Sequence, residues 1–196
     1  MRVNEIFYSL QGEGYHSGEA AVFVRLSGCN LRCPFCDTQH ESGTEMDEAD
    51  IVESVRQWPA RLVVITGGEP SLQLTATLVD ALHAEGKYVA VETNGTHPLP
   101  ENVDWVTLSP KSAYVDGSEV VLTHADEIKV VYDGVHDPDF YLSPLTSHLS
   151  PHTFLQPMDT GDDNRNAAIT AATVEYIRQH PQWRLSLQIH KILNIQ

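Results

Sequence analysis

The 196-residue sequence predicts an α/β fold with a largely parallel sheet and right-handed crossovers. Two observations carry this expectation. Short apolar runs alternate along the chain with longer stretches of helical period. Polar, mostly glycine-bearing segments also follow directly on several of the apolar runs: Gly67-Gly68-Glu69-Pro70, Glu92-Thr93-Asn94-Gly95 and Ser109-Pro110-Lys111. In α/β folds ligands bind beyond that end of the strands, so these segments are expected to line one mouth.

Taken in order, Val3 to Tyr8 reads as the first strand. Leu10-Gln11-Gly12-Glu13-Gly14 follows, where two glycines permit a tight loop and close backbone approach. Ala20 to Leu26 is a second strand centred on Val22, Phe23 and Val24. Arg25 is its odd member, a cation in an apolar strand just before the cysteines. Met46 to Trp58 reads as a helix. Ile51, Val52, Val55 and Trp58 recur at helical spacing, Asp47, Glu48 and Asp50 favour the first turn, and Pro59 stops it.

Arg61 to Thr66 is the next strand. Leu72 to Glu85 is a helix with Leu74, Leu78, Ala81 and Leu82 on one face and Gly86 at its end. Strands are then expected at Lys87 to Glu92, Asp104 to Leu108, Glu127 to Tyr132 and Thr153 to Leu155, the last leading into Gln156-Pro157. A helix from Asn164 to Arg178 and a strand from Trp183 to Ile189 complete the pattern. The stretches 113–125 and 134–150 carry no clear period.

The length and the lack of a linker suggest one domain over residues 1–196. No apolar run is long enough for a membrane span, and Met1-Arg2-Val3-Asn4-Glu5 does not read as a signal peptide, so the cytoplasm is the expected compartment. The formal net charge of −15 repels phosphate backbones and argues against nucleic acid as a partner. A small acidic substrate stays possible where a buried cation reverses the local field. Arg25 and Lys111 are the candidates.

The three cysteines, Cys29, Cys33 and Cys36, fall within eight positions, on a loop that Asn30 and Pro34 bend. Thiolates so spaced can hold an iron–sulfur cluster. A four-iron cluster usually takes four cysteines, so three leave one iron open to a small molecule. Other readings stand beside this one. Buried cysteines occur in cores but rarely cluster. A Cys3His zinc site could use His40 or His16, although zinc ligands usually come as two separated pairs. A disulfide framework fits poorly with an odd count. The strand-end motifs are equally open when taken singly: Asn94-Gly95 makes a common turn and Lys111 an ordinary surface lysine. Their joint placement is the stronger signal.

The Cys-x3-Cys-x2-Cys spacing followed by Gly67-Gly68-Glu69-Pro70 resembles the radical S-adenosylmethionine (SAM) superfamily. The likeness narrows further. Ser9 to Gly14, Phe23-Val24-Arg25-Leu26, Cys36-Asp37-Thr38, Glu92 to Thr96, Leu108 to Lys111 and Gln156-Pro157 are together similar to the 7-carboxy-7-deazaguanine synthase family, over residues 5 to about 191. The resemblance implies an incomplete (β/α) barrel, a radical SAM core in reduced form, and a homodimer. It implies a [4Fe-4S] cluster, S-adenosyl-L-methionine and Mg2+ as cofactors, with an external one-electron reductant of flavodoxin type. It also implies a reaction. A SAM-derived radical takes hydrogen from C6 of 6-carboxy-5,6,7,8-tetrahydropterin, and the ring contracts to 7-carboxy-7-deazaguanine with loss of ammonia and return of SAM.

Carried onto this sequence, the resemblance gives the cluster to Cys29, Cys33 and Cys36 and the Mg2+ to Thr38. Leu10, Gln11, Gly12, Glu13, Arg25 and Thr66 become substrate contacts. Arg25 suits the substrate carboxylate through its planar fork, and Glu13 suits the guanidine-like N–H groups of a pterin. The SAM contacts become Phe35 and Asp37 beside the last cysteine, Gly68 and Glu69 after one strand, and Glu92, Thr93 and Asn94 after the next. Ser109, Pro110 and Lys111 extend them, with Gln156, Pro157, Met158 and Asp159 on the adenine side. One departure stands out: relatives commonly end in a proline that reaches the substrate, whereas this chain ends Ile192-Leu193-Asn194-Ile195-Gln196.

Overall fold

A computed structural model describes residues 1–141 and 152–196. Among these, nine strands form one sheet: β1 (Arg2–Leu10), β2 (Ala20–Leu26), β3 (Thr44–Glu45), β4 (Leu62–Gly67), β5 (Tyr88–Thr93), β6 (Trp105–Leu108), β7 (Glu127–Tyr132), β8 (His152–Pro157) and β9 (Arg184–Leu185). Their order is β3-β1-β2-β4-β5-β6-β7-β8-β9. The helices are α1 (Glu48–Arg56), α2 (Ala76–Ala84), α3 (Asp163–Gln179) and α4 (Ile189–Leu193). Every pairing from β2 through β9 is parallel, as expected. The start of the sheet differs: β1 runs antiparallel to both β2 and β3. A short connection closes an antiparallel pair, whereas a parallel one needs a long crossover, and the loop 11–19 is too short for a crossover.

Side chains alternate between the two faces of the strands. On the outer face, Val22, Val24 and Leu26 of β2, Val63 and Ile65 of β4 and Val89 and Val91 of β5 form one core. Ile51 and Val55 of α1 and Leu78, Val79 and Leu82 of α2 seal it. Ile128, Val130, Tyr132 and Leu155 make a second core with Trp183, onto which Tyr176 and Ala172 of α3 pack. On the inner face, Phe23, Leu62, Val64 and Ala90 cluster with Phe7, Tyr88 and Trp105. The sheet curls around this inner face, since inward residues of β2 and of β8 line the same cavity. β3 and β9 remain its unpaired margins. An open, curled sheet with helices outside is the incomplete (β/α) barrel the resemblance implied.

Four boundaries differ from expectation for local reasons. The first helix starts at Glu48 rather than Met46, because Asp47 caps it by accepting from the Asp50 N–H, and Thr44–Glu45 pairs as a strand instead. The second starts at Ala76 rather than Leu72. Thr75 caps it at the Leu78 N–H, and Pro70–Leu72 forms a separate 3-10 turn. β8 extends to Pro157, so Gln156 lies in the strand. The last expected strand, Trp183 to Ile189, shrinks to Arg184–Leu185. The chain then turns away from the exposed sheet edge into α4, where the Ile189 N–H donates to the Gly12 carbonyl at 3.0 Å. Of the two stretches without period, 113–125 holds no strand or helix, and 134–150 contains the 3-10 turn Pro138–Tyr141, with the remainder from 142 outside the described residues.

Candidate active site

The inner face changes character at one end. Along β2 the inward positions run Phe23 then Arg25; along β4, Val64 then Thr66; along β5, Ala90 then Glu92; along β8, Phe154 then Gln156. Polar groups thus gather where the parallel strands end. They border a cavity of about 730 Å³, a size that suits a small-molecule site. Cys29, Cys33, Cys36 and Thr38 stand on one wall. Leu10 at the end of β1 and Gln11, Gly12 and Glu13 in the loop after it border the cavity, as do Ser109, Lys111 and Met158 from the loops after β6 and β8. Of the residues assigned to the cluster, Mg2+, substrate or SAM, only Pro110 does not line the cavity; it is buried, between Ser109 and Lys111 in sequence.

The thiol wall is held by backbone. Glu69 N–H donates to the Gly28 carbonyl at 2.9 Å, and Gly28 N–H to the His40 carbonyl at 2.7 Å. A β-carbon on Gly68 would collide with the Gly28 carbonyl, so only glycine lets the two loops meet. Asn94 Nδ2 donates to Asn30 Oδ1 at 3.1 Å, and Asn30 Nδ2 to Thr96 Oγ1 at 2.8 Å, which ties the cysteine loop to the end of β5. All three thiols are free. Burial pushes the Cys33 thiol up, against the pull of the Lys111 ammonium, and burial does the same to Cys29. Burial in turn lowers Lys111 to about 8, and Cys33 opposes that shift. Among the described residues, no three Cys, His, Asp or Glu side chains are already drawn together as a metal-ligand group. Three soft thiols on one wall, with a lysine beside them, nevertheless suit an iron–sulfur group and leave no fourth thiol to close it.

Glu69 works inward. Its buried carboxylate accepts from Thr93 Oγ1 at 2.6 Å, from Asn94 N–H at 2.7 Å and from Ser71 N–H at 3.0 Å. It therefore fixes the loop after β4 against the end of β5. Lys111 Nζ donates to the carbonyl and hydroxyl of Ser109, both at 2.6 Å. Phe35 meets the Tyr114 ring edge-on, with centroids 4.8 Å apart. Arg25 donates from Nε to Glu5 Oε1 at 2.7 Å, while among the described residues no acceptor meets its two Nη groups. The fork therefore keeps its outer end for a ligand.

Two groups of contacts escaped the sequence reading. Lys129 on β7 is 5% exposed and donates to Glu13 Oε2, and to Glu92 Oε1 at 3.3 Å. Burial works to raise Glu13, but the Lys129 charge and hydrogen bond overcome it and hold the carboxyl down at about 2. Thr66 Oγ1 and Gln11 Nε2 complete Glu92, at 3.0 and 3.2 Å. Lys129 carried the same signal as Arg25, a lone cation in the apolar run Glu127 to Tyr132, and was legible on that ground. The second group comes from α4 and its approach. Gln188 Nε2 donates to Glu13 Oε1 at 3.0 Å and to Asp37 Oδ2 at 3.1 Å, and Lys191 Nζ donates to Asp37 and Asp159, both at 2.7 Å. A β-carbon on Gly12 would strike the His190 ring. Nothing in the alternating pattern of 183–189 announced this strap. Gln196 also borders the cavity, and its Nε2 donates to Glu5 Oε2 at 2.7 Å.

Residues 23–135 match the family model described as the Radical SAM superfamily. The chain is 52% identical over 194 residues to the 7-carboxy-7-deazaguanine synthase of Bacteroides thetaiotaomicron, covering 99% of this chain and 98% of that one. It is 42% identical over 217 residues to the 7-carboxy-7-deazaguanine synthase of Bradyrhizobium diazoefficiens, covering 98% of both. Among solved structures, QueE from Escherichia coli superposes with a TM-score of 0.78 at 33% identity, covering 95% of this chain and 92% of that one. SuiB from Streptococcus suis, with a TM-score of 0.54 at 12% identity, shares the fold alone. Identity at the first of these levels, along nearly the full length of both partners, marks common descent, and the chain belongs to the Radical SAM superfamily and within it to the 7-carboxy-7-deazaguanine synthases.

Proposed function

We propose that the chain converts 6-carboxy-5,6,7,8-tetrahydropterin to 7-carboxy-7-deazaguanine and ammonia, in 7-deazapurine (queuosine) biosynthesis. The observation that carries this reading is one cavity bordered by three free thiols, an arginine fork with its outer end open and a charged, partly buried glutamate. Substrate and products contain the same atoms, and the conversion is redox-neutral overall. The external one-electron donor, of flavodoxin type, therefore acts to prime the site.

Cys29, Cys33 and Cys36 would hold the [4Fe-4S] cluster. Gly68, Glu69, Glu92, Thr93, Asn94, Ser109 and Lys111 would hold SAM from one side, with the buried Pro110 fixing the backbone between the last two. Phe35, Asp37, Gln156, Pro157, Met158 and Asp159 would hold it from the other. When bound, these groups supply a radical able to remove one hydrogen atom from the substrate. The rest is positioning by the chain. The Arg25 fork pairs the substrate carboxylate in a planar, two-point contact. Gln11, Gly12 and Leu10 fix the heterocycle edge, Thr66 contacts its face, and Glu13 accepts from its N–H groups. The Thr38 hydroxyl would offer Mg2+ one oxygen ligand, of the kind that ion prefers. One continuous sheet supports a single domain over residues 1–196. The active form is a cytoplasmic homodimer, and its substrate is a free small molecule. Among the described residues no helix is long and apolar enough to cross a membrane.

The test is an anaerobic assay of the reconstituted protein with this pterin, SAM and reductant, beside Cys33→Ala. We expect turnover with about four irons and matching sulfide per chain, and loss of both in the variant. One zinc per chain and no acid-labile sulfide would overturn the reading.

A further inference from the structure

Lys129 has no role in the reading above, yet it stands at the centre of the substrate side of the cavity. It is the meeting point of three elements. Glu13 reaches it from the loop after β1, Glu92 from β5, and Glu127 from its own strand β7. Lys111 is the other cation that bears on it. Glu92 keeps one open site, on Oε2, because Gln11 and Lys129 both donate to Oε1 and Thr66 donates to Oε2. Glu13 keeps one on each oxygen. Lys129 takes one lone pair of Oε2 and Gln188 one of Oε1. An ionised carboxylate offers about four lone-pair sites, so one remains on each oxygen. Two parallel acceptors on one carboxylate match two adjacent N–H donors, as in a guanidine.

We propose that Lys129 is a positioning residue of the substrate site: its ammonium fixes the Glu13 carboxylate so that the open lone pair of each oxygen faces the adjacent ring and amino N–H donors of a cyclic guanidine, the recognition edge of the pterin. The inference rests on the pterin reading. It adds the determinant that selects the guanidine edge. Arg25 holds the opposite end of the ligand through its carboxylate, so the two cations act at separate places. The groups facing Glu13 are Lys129 from β7 and His190 and Gln188 from the α4 segment. With Lys129 present, Glu13 stays charged throughout the working pH range, as its value of about 2 requires. Without that charge, burial dominates and raises the carboxyl. A protonated Glu13 has become a donor on one oxygen and cannot accept two N–H groups, so binding then fails as pH falls.

The experiment uses cluster-loaded protein and two readouts. One is equilibrium dialysis of 6-carboxy-5,6,7,8-tetrahydropterin without SAM; the other is steady-state turnover, each from about pH 5.5 to 8.5. In Lys129→Met we expect Kd and KM to rise about tenfold or more, with kcat changing less. We also expect an acid limb that the wild type lacks. Adding Glu13→Gln to Lys129→Met removes that limb. Lys129→Arg keeps the charge with a different reach, so it raises KM and shows no acid limb. It carries the test if Lys129→Met does not fold, and an unchanged KM in Lys129→Arg then overturns the proposal. Kd within about twofold of wild type in Lys129→Met, or weaker binding without pH dependence, also overturns it. A wild type that neither binds nor turns over this pterin removes the substrate reading itself, a result distinct from an active wild type whose Lys129 variants behave alike.

Discussion

The two faces of this sheet are made from the same strands and do opposite work. On the outer face of β2, β4 and β5, Val22, Val24, Leu26, Val63, Ile65, Val89 and Val91 are fully buried aliphatics under α1 and α2. On the inner face the intervening residues are apolar at one end only, and become Arg25, Thr66 and Glu92 at the other. Stability resides in the first set and recognition in the second. Because neighbours in sequence belong to different sets, a one-residue register slip would place cations in the core and valines in the site.

Substitutions can break that division or sharpen it. The largest effect is expected on the outer face. Leu82→Ala empties a fully buried position on α2 and lowers unfolding stability by about 2–5 kcal/mol in denaturant titration. KM of the folded fraction stays within about twofold of wild type. Glu69→Gln tests the boundary between the sets. It turns one acceptor towards donors and costs about 1.5–3 kcal/mol. SAM affinity, measured by dialysis, falls with it, because the loop after β4 loses its hold on Thr93 and Asn94. Arg25→Lys acts on the inner face alone. The lysine can keep the Glu5 pair, yet it loses the second arm of the fork. KM for the substrate rises about tenfold, with thermal stability unchanged within about 0.5 kcal/mol.

The smallest effect lies at the strap. The Lys191 ammonium, with the Gly161 N–H and Asn166, lowers Asp159 from 3.8 to about 2. A carboxyl held below its unfolded value stabilises above that value and loses its contribution as pH falls through the folded one. Amide protection in 188–195, taken relative to the intrinsic exchange rate at each pH, is therefore expected to fall between about pH 4 and pH 2 in the wild type. Lys191→Met flattens that change. An unaltered acid response in the variant would show that other carboxylates govern the strap.

Much of the outer face was legible, because Ile51, Val55, Leu78 and Leu82 keep helical period and β2, β4 and β5 read as apolar runs. The strand-end loops were legible through glycine and through odd polar residues. What escaped has a common physical cause. Gln188 and Lys191 lie where alternation fits a strand, and only the unpaired sheet margin turns the chain aside there. Lys129 shows the converse: its signal was present, but no local motif marks a residue whose partners stand on other strands. The cap positions of α1 and α2 were readable from Asp47 and Thr75, and the apolar residues before each cap drew the expected starts too early.

The bond from Gln188 to Glu13 spans 175 positions. A contact of that reach closes a very long loop, and loop-closure entropy places it late in folding. The part of the protein that tells one heterocycle from another therefore matures after the part that keeps it folded. During refolding, pulse-labelled amides of β4 and α2 are expected to gain protection before those of Gly14 and Ile189, which donate to Ser186 and Gly12, and simultaneous protection would contradict that order. Discrimination between substrates is then an acquired property of the finished chain, absent from any shorter-lived form that already has its core.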